Sequence, residues 1–567
     1  MRVRNSANGT TELTEWRSIE WKRHFQIVRN LRQRIFKASE AGDLSRVKNL
    51  QKLLLRSKSN LLVSVRRATQ DNVGKKTAGI DGAVALTPEA RGVLVDDLTR
   101  YQPWKAKPVR RIYIPKSNGK LRPLGIPVLK DRVFQGMVKN GLEPQWEAQF
   151  EGTSYGFRPG RSAHDAIEDI ANFANTKGNK KWVVDADIQG AFDNIDHDYL
   201  LSTIGNVPGK ELIRQWLKAG YMERGIKHDT SSGTPQGGII SPLLANIALH
   251  GMEEAIGVRR NINGANIGKR GVVRYADDFV VFCQSREDAE QVIEELKMWL
   301  ALRGLQLSEE KTRIVHITEG FDFLGFNIRQ YEARNTKRGY KLLIKPSDNS
   351  LRKIKAKLKE MMLKLSGANA ETLIKRLNPV IFGWSGYFRF CAASVTFNKI
   401  QWWLSERIYR WMRRQHPKKS WGWIRSKYLG PWNKDRQDNR VFGDKESGKY
   451  MTKFSWVSTS TRHVKVIGRY SKDDPKLSRY WENRAQKAPY QKSDRWFMAR
   501  QQNFRCVVCK EPIFNGEPLE DHHLISNREN TERNLIKNRR LIHVLCHQQV
   551  HGDKNAELPT SVKEIRP

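Results

Sequence analysis

Near the N-terminus, apolar residues recur at helical spacing amid arginine and lysine: Ile27, Leu31 and Ile35, then Leu50, Leu53, Leu54 and Leu61. That rhythm predicts basic amphipathic helices from Trp16 to about Arg67. The polar residues 1–12 before them read as disordered, and Gly74 to Gly82 reads as a basic, glycine-containing loop. At Val109 the period changes from helix to strand. Arg111-Ile-Tyr-Ile-Pro115, a turn at Asn118-Gly119 and a second β-rich run from Leu121 to Ile126 predict a hairpin. Helical and strand segments then alternate to about Ile328. Leu351, Ile354, Leu358, Met361 and Leu365 mark an amphipathic helix whose other face is almost all lysine or arginine. Such a face suits a phosphate backbone and equally suits water, and the spacing does not choose. Between Trp384 and Trp432 lie seven tryptophans with Tyr and Arg interleaved. Aromatics of this kind can stack on unpaired bases or fill a helical core; the reading adopted is core, with the intervening basic residues toward RNA. From Gly430 to Asn503 the chain is polar, basic and weakly patterned, as a linker or nucleic-acid-binding surface would be. From Phe504 on it has the pattern of a separate small domain. No internal repeat is present.

Charge sharpens this picture. The 567 residues include 101 Lys plus Arg against 60 Asp plus Glu, a net charge of +41. A chain of this length holds several domains, and the charge calls for a polyanionic partner, nucleic acid first. The tryptophans, glycines and clustered acids argue against a ribosomal-type basic protein. The basic residues run along the whole chain, which argues against a membrane-surface helix. No apolar leader or membrane-length apolar run is seen, so the expected partners include no membrane. The expected location is the cytoplasm, with an organelle left open. Of the five cysteines, Cys283 and Cys391 are scattered, while Cys506, Cys509 and Cys546 share the last segment, a usage that favours metal over disulfides.

Two acidic pieces carry candidate chemistry. In Tyr275-Ala-Asp-Asp278, flanked by Val272, Val273, Val280, Val281 and Phe282, two acids stand at the tip of a predicted hairpin. Adjacent carboxylates repel unless a cation joins them, although an Asp-Asp surface turn is a common alternative. The second piece, Trp182-Val-Val-Asp-Ala-Asp187, is a buried strand that ends in acids. Asp185 and Asp187 share one face, so spacing leaves open which joins the pair. Three carboxylates from two strands can hold two Mg²⁺ ions. Such ions, about 3.5–4 Å apart, serve in-line displacement at phosphorus. In the last segment, Cys506-x-x-Cys509 and His543-x-x-Cys546 have the paired-knuckle spacing of a closed structural Zn²⁺ site. Asp521-His522-His523, Asn538, His547 and His551 lie between and beside them, and His547 and His551 share one face if helical.

Tyr275-Ala-Asp-Asp278 resembles the reverse transcriptase signature, and the surrounding blocks follow that family's order. They are Arg111 to Pro127, Tyr155-Gly-Phe-Arg158-Pro-Gly-Arg-Ser, Asp187 to Asp193, Gly233-Thr-Pro-Gln236-Gly-Gly, Leu305 to Lys311 and Phe321-Asp-Phe-Leu-Gly-Phe326. The resemblance implies a multidomain α+β protein: a right-hand polymerase with fingers, an antiparallel palm sheet and a helical thumb. It implies Asp187, Asp277 and Asp278 as the catalytic Mg²⁺ ligands. For the dNTP it implies Lys116 and Arg122 as a triphosphate clamp, Phe192 crowding a ribose 2′-hydroxyl, Gln236 beside the incoming nucleotide, and Lys311 near the phosphates. Gly79-Ile-Asp-Gly82, Phe192-Asp-Asn-Ile-Asp-His197, Lys345-Pro-Ser and Asn378-Pro-Val-Ile-Phe-Gly-Trp384-Ser-Gly-Tyr-Phe388 are similar to the group II intron branch and its maturase domain. That branch implies a group II intron RNA partner in a lariat ribonucleoprotein, in a bacterial, nucleoid-associated setting.

The last segment resembles an HNH nuclease. In that register His523 is the general base, His522, His547 and His551 hold a divalent metal, and Asn538 orients the loop. Ser526 stands where that family often has proline, and no glycine pair follows. A shifted register, with Asp521 as ligand and His522 as base, is the second choice, and a zinc-stabilised DNA-binding finger without cutting is the third. The expected domains are 1–70 (N-terminal extension), 71–335 (fingers and palm), 336–430 (thumb), 431–503 (basic DNA-binding linker) and 504–567 (zinc-bound ββα HNH domain). The expected activity is nicking of target DNA and copying of intron RNA from the exposed 3′-hydroxyl. A splicing cofactor without synthesis, a host-domesticated enzyme and a homing endonuclease with a vestigial palm are the rivals.

Overall fold

The structure is a computed structural model. It is described for residues 14–552 except 101–102, 116–118, 120, 262–263, 434–435, 461–462, 488–493, 516, 526–531 and 533–534. Residues 1–12, Lys116, Asn118 and Ser526 of the sequence reading lie outside the described residues.

The N-terminal periodicity folds as three helices, Trp21–Glu40, Leu44–Leu55 and Lys58–Arg66. Asp43 caps the second by accepting from the Arg46 amide at 2.9 Å. Of the predicted stripes, Leu31 and Ile35 meet Leu50 and Leu54, joined by Val28 and Val47, whereas Ile27 and Leu53 face outward. These helices also pack on the long helix Leu129–Glu147. Buried amides join the two, Gln51 to Gln145 at 2.7 Å and Asn140 to Asn60 at 2.8 Å.

The strands are β1 (Val109–Pro115), β2 (Leu121–Ile126), β3 (Trp182–Asp187), β4 (Tyr221–Glu223), β5 (Ile226–His228), β6 (Gly271–Tyr275), β7 (Asp278–Cys283), β8 (Arg313–His316), β9 (Phe321–Phe323), β10 (Phe326–Glu332) and β11 (Tyr340–Pro346). β1 and β2 form the expected antiparallel hairpin, within a sheet ordered β2-β1-β4-β5. The central sheet is ordered β6-β7-β3-β8 and is antiparallel throughout. Its strands read as continuous apolar runs because both faces are covered. Val183, Val280 and Phe282 face a core with Ile167 and Ile170, and Val184, Phe279 and Val281 face one with Val292, Leu296 and Leu300. The acids stand at the ends of β3 and β7, with Asp187 buried and Asp278 exposed.

β9 to β11 lead into a bundle of three helices, Asp348–Lys364, Ala370–Phe388 and Ser394–Gln415. Ile354, Leu358, Leu377, Ile381, Ile400 and Leu404 fill its core. Of the tryptophans read as core, Trp411 is buried and Trp384 packs against the core, whereas Trp402 departs from that reading at 70% exposed.

The stretch expected as a linker, 431–503, differs from that reading. Its strand β13 (Val441–Phe442) pairs with β12 (Leu429–Gly430), and Phe442, Met451 and Phe454 are buried in the bundle's core. Farther on, Arg484 meets Asp165 at 2.6 Å and Arg161 donates to the Gly468 carbonyl at 2.7 Å. The stretch is a strap across two domains. Its anchors are single apolar residues and distant ion pairs, which leave no period in the sequence.

One of those anchors is Arg32. Its guanidinium lies between Glu143 at 2.9 Å and Asp473 at 2.7 Å, joining an N-terminal helix, the long helix and the strap. Burial opposes the charge on Arg32, but the two carboxylates more than offset it and hold the guanidinium above its usual range. Arg32→Ala would leave the buried Asp473 without its cation and Glu143 with Lys139 alone at 3.5 Å, so a loss of about 3–5 kcal/mol is expected, measured by urea unfolding. A loss within the scatter of exposed-surface variants would refute this role.

The C-terminal segment is a ββα unit. β14 (Leu519–His523) pairs antiparallel with β15 (Arg539–His543), and the helix Val544–Gly552 follows. Val507, Ile513, Leu541 and Ile542 form its own small core. Among the described residues, no helix is long and apolar enough to cross a membrane.

Candidate active sites

The register of β3 against β7 sets Asp187 opposite Asp278 and Asp185 opposite Val280. Tyr275 pairs with Asp278 across β6 and β7, so Ala276 and Asp277 form a two-residue turn. Ala276 carries a left-handed φ of 60°, costly for any residue with a Cβ. The surroundings hold it there. Tyr155 donates its amide to the Arg274 carbonyl at 2.9 Å, and the buried Arg274 guanidinium donates to the Ala276 carbonyl at 3.2 Å. A Cβ on Gly156 would meet the Ala276 nitrogen at 2.4 Å, so the Tyr155-Gly156 block fits the turn only with glycine.

Three carboxyls thus converge. Burial and then Asp187 push Asp277 upward. Burial, Asp277 and Asp187 push Asp278 up to about 7, although one side of its residue remains open to solvent. The cluster lacks positive charge. Lys311 supplies part of it, with its ammonium in an ion pair with Asp187. Arg122, exposed on β2, also lowers Asp277 through its charge. Asp185 is already neutralised by Arg313 at 2.9 Å. Spacing left Asp185 and Asp187 equivalent, and Arg313 from β8 is the residue that separates them. The donors are hard oxygens, crowded and incompletely neutralised, which suits Mg²⁺. Asp187, Asp277 and Asp278 would hold it.

The candidate nucleotide residues border this cluster. Phe192 sits on the short helix Ala191–Asn194 and is braced edge-on by Phe157, ring centroids 6.0 Å apart. Its carbonyl accepts from the Thr234 amide at 2.6 Å. Gln236 donates its side-chain amide to Asp193 at 3.3 Å and accepts at its carbonyl from the Gly125 amide at 2.7 Å. Gly237, at φ 122°, approaches the Gly125 carbonyl so closely that a Cβ would lie 2.6 Å from it. The fingers hairpin is thereby tied to the Gln236 loop. Between them lies a cavity of about 380 Å³ lined by Phe192, Asp193, Gly125, Thr234 and Tyr221.

Comparison with known proteins bears on this arrangement. Residues 114–328 match the family described as reverse transcriptase (RNA-dependent DNA polymerase). Residues 16–98 match its N-terminal domain, and 351–429 match the group II intron maturase-specific domain. The protein YkfC of Escherichia coli is 35% identical over 329 residues, which are 50% of this chain and 84% of YkfC. The group II intron-encoded protein LtrA of Lactococcus lactis is 35% identical over 336 residues, 48% of this chain and 55% of LtrA. The chain belongs to the group II intron reverse transcriptase and maturase family. A telomerase structure from Candida albicans, 13% identical, covers 57% of this chain and 61% of its own at a TM-score of 0.33, a likeness too distant to add to the argument.

In this reverse transcriptase the C-terminal unit lies beyond the matched stretches and is described by its own geometry. Ligand atoms of Cys506, Cys509, His543 and Cys546 all lie within 4.8 Å of one another. Hydrogen bonds among the thiols push Cys506 down and Cys546 up, as crowding of the sulfurs around one point would. His543 turns Nδ1 to the sulfurs, 3.4 Å from Cys509, and Nε2 toward the Pro512 carbonyl at 3.3 Å. Burial opposes charge on this imidazole, but hydrogen bonds with Cys506 and Cys509 push it up to about 10, so a metal at Nδ1 would displace a proton. Three thiols and one imidazole in this arrangement suit Zn²⁺.

A second group joins His522, His547 and His551 within the same 4.8 Å. The Nε2 atoms of His547 and His551 face each other at 3.1 Å, and His522 Nδ1 is buried with no hydrogen-bond partner. Burial, then His547 and His551, lower His522 to about 4, so it is neutral at physiological pH and its lone pair is available to a divalent ion. Strand alternation puts His523 and Asp521 on the other face of β14. Asp521 meets Arg495 at 3.1 Å and also Arg539. Asn538 lies at the foot of the intervening loop. Its carbonyl accepts from the Leu524 amide at 2.9 Å and its side chain donates to the Glu532 carbonyl at 3.0 Å.

Glu520 escaped the sequence reading. It lies two residues before His522 on the same face of β14, and its carboxylate is 2.6 Å from His547 Nδ1. A carboxylate there fixes the tautomer that turns Nε2 to a metal. The strand's period of two held the only signal for it. Glu520→Gln is expected to weaken divalent-metal binding at this group by about 10–100-fold, read by calorimetric titration. Unchanged affinity would remove Glu520 from the metal's surroundings.

Proposed function

We propose that this protein copies a group II intron RNA into DNA at a nicked target site, having first bound that RNA and helped it splice. The observation that carries the polymerase part is the convergence of Asp187, Asp277 and Asp278, with two of the three carboxyls displaced upward by burial and by one another's charge. Two bound Mg²⁺ would activate the primer 3′-hydroxyl and offset charge on the leaving pyrophosphate. The chain's own residues do the rest. Arg122, together with Lys116, neutralises the triphosphate. Phe192, braced by Phe157, closes the space a ribose 2′-hydroxyl would need. Gln236, tied to Asp193 and the fingers hairpin, shapes the floor under the nucleotide. Lys311, paired with Asp187, is placed to neutralise a phosphate once that carboxylate is bound to an ion. The basic face of Asp348–Lys364 and the exposed Trp402 are the surfaces we assign to intron RNA.

For the C-terminal unit we propose an HNH-type nuclease that supplies the primer. Cys506, Cys509, His543 and Cys546 hold a structural Zn²⁺. His522, His547 and His551 hold the divalent ion that polarises the scissile phosphate, and Asn538 pins the loop. His523 takes the proton from the attacking water. The location we propose is the bacterial cytoplasm, with the nucleoid.

The first test is cDNA synthesis on an RNA template annealed to a DNA primer, with dNTPs and Mg²⁺. Extension supports the reading. If the protein fails to extend the primer even with intron RNA added, it acts as an RNA-binding splicing factor instead.

A further inference from the structure

The helix Val544–Gly552 presents three different faces. Cys546 joins the four-ligand group, and His547 and His551 join the histidine group. Leu545 and Gln548, three apart and therefore on one side, do neither. Leu545 is only 8% exposed, and it is buried in the N-terminal core with Trp16, Trp21, Leu61 and Val65 and not in its own unit's core. Gln548 accepts from the Arg66 guanidinium at 3.1 Å. Arg66 is itself 2% exposed and lies 4.7 Å over the ring of Trp21. Beside it, Lys22 donates to the Cys509 carbonyl at 3.1 Å and faces Glu511 at 4.0 Å.

Separation of the two units would uncover Trp21, Leu61 and Val65 and would take from a buried arginine its hydrogen bond to Gln548. Arg66 would keep Asp71 at 3.6 Å, so the cost of separation is the exposed apolar area and the lost hydrogen bond. We propose that the C-terminal Cys/His unit is a docked part of the polymerase body, with the N-terminal helices Trp21–Glu40 and Lys58–Arg66 as its platform, and that Leu545 and Gln548 are its docking residues. The histidine group then stands at one place on the polymerase instead of moving on a tether. If that group cuts DNA, as proposed above, every cut is made at a set position relative to the palm; docking itself does not depend on cutting.

Gln548 is exposed, is outside both ligand groups and can be altered without touching them. Gln548→Glu places a carboxylate on Arg66, and Gln548→Lys opposes it with a like charge. In the full chain, hydrogen–deuterium exchange across Lys58–Arg66 should slow in Gln548→Glu and quicken in Gln548→Lys, by roughly tenfold in each direction. Bound zinc, measured on the same samples, reports whether the unit remains folded. Equal exchange in wild type and both variants, with zinc retained, overturns the proposal. If Gln548→Lys loses zinc, the Gln548→Glu arm decides alone: slower exchange supports docking and unchanged exchange overturns it. None of these readouts requires nicking, so failure of the nuclease reading and failure of docking are separate results.

Discussion

Asp277→Asn lowers primer extension at least about a thousandfold and leaves the metal-free protein as stable as wild type, or more so. The first half follows from the metals. Losing one ligand that bridges protein and ion removes several kcal/mol of transition-state stabilisation, and each 1.36 kcal/mol is about tenfold in rate. The second half follows from the crowding. Asp277 adds to the repulsion that lifts Asp278 to about 7, so removing its charge relieves strain between like charges. A residue held only by packing would show the opposite pattern, with lower stability and lower activity falling together.

The same crowding sets a pH dependence. Without metal, Asp278 binds its proton more tightly folded than unfolded. Its contribution is complete below the ordinary value of 3.8 and is lost as pH rises through about 7. Relative to Asp278→Asn, the metal-free wild type should therefore lose melting temperature across that window, and Mg²⁺ should restore it. A difference that stays flat with pH, measured by thermal melts of both proteins, would mean that the three carboxyls do not share a site.

The second large effect concerns the two adjacent histidines. His523→Ala should cut nicking of supercoiled DNA by about 10²–10⁴-fold, the range for a lost general base. Divalent-metal affinity and extension from a ready-made primer should not change. His522→Ala should lose the metal as well. The reason is the alternation of β14, which turns His522 toward His547 and His551 and leaves His523 on the opposite face. In the shifted register, Asp521 would bind the metal, but it is already engaged by Arg495 and Arg539. Metal affinity lost in His523→Ala and kept in His522→Ala would reverse these assignments.

Much of this was legible in the residues themselves. The two-residue turn between apolar runs places Asp277 and Asp278 at a tip, because a strand's period and a tight turn are local properties of the chain. The Cys-x-x-Cys and His-x-x-Cys knuckles predict a four-ligand group for the same reason, and the N-terminal stripes predict helices. Other features depended on residues that lie far outside any local stretch of the chain. Asp187 differs from Asp185 because β8 brings Arg313 to one of them and the turn of β7 brings Asp278 to the other. Glu520 became a partner of His547 only when a helix packed against its strand. The weakly patterned strap of 431–503 is held by Arg32, Asp165 and the bundle core, none of them nearby in sequence. Leu545 reads as a residue between two ligands, yet its side chain completes the N-terminal core. Periodicity records which face of an element is apolar; which charge meets which, and which face meets which core, is set by register and docking, and those exist only in the folded chain.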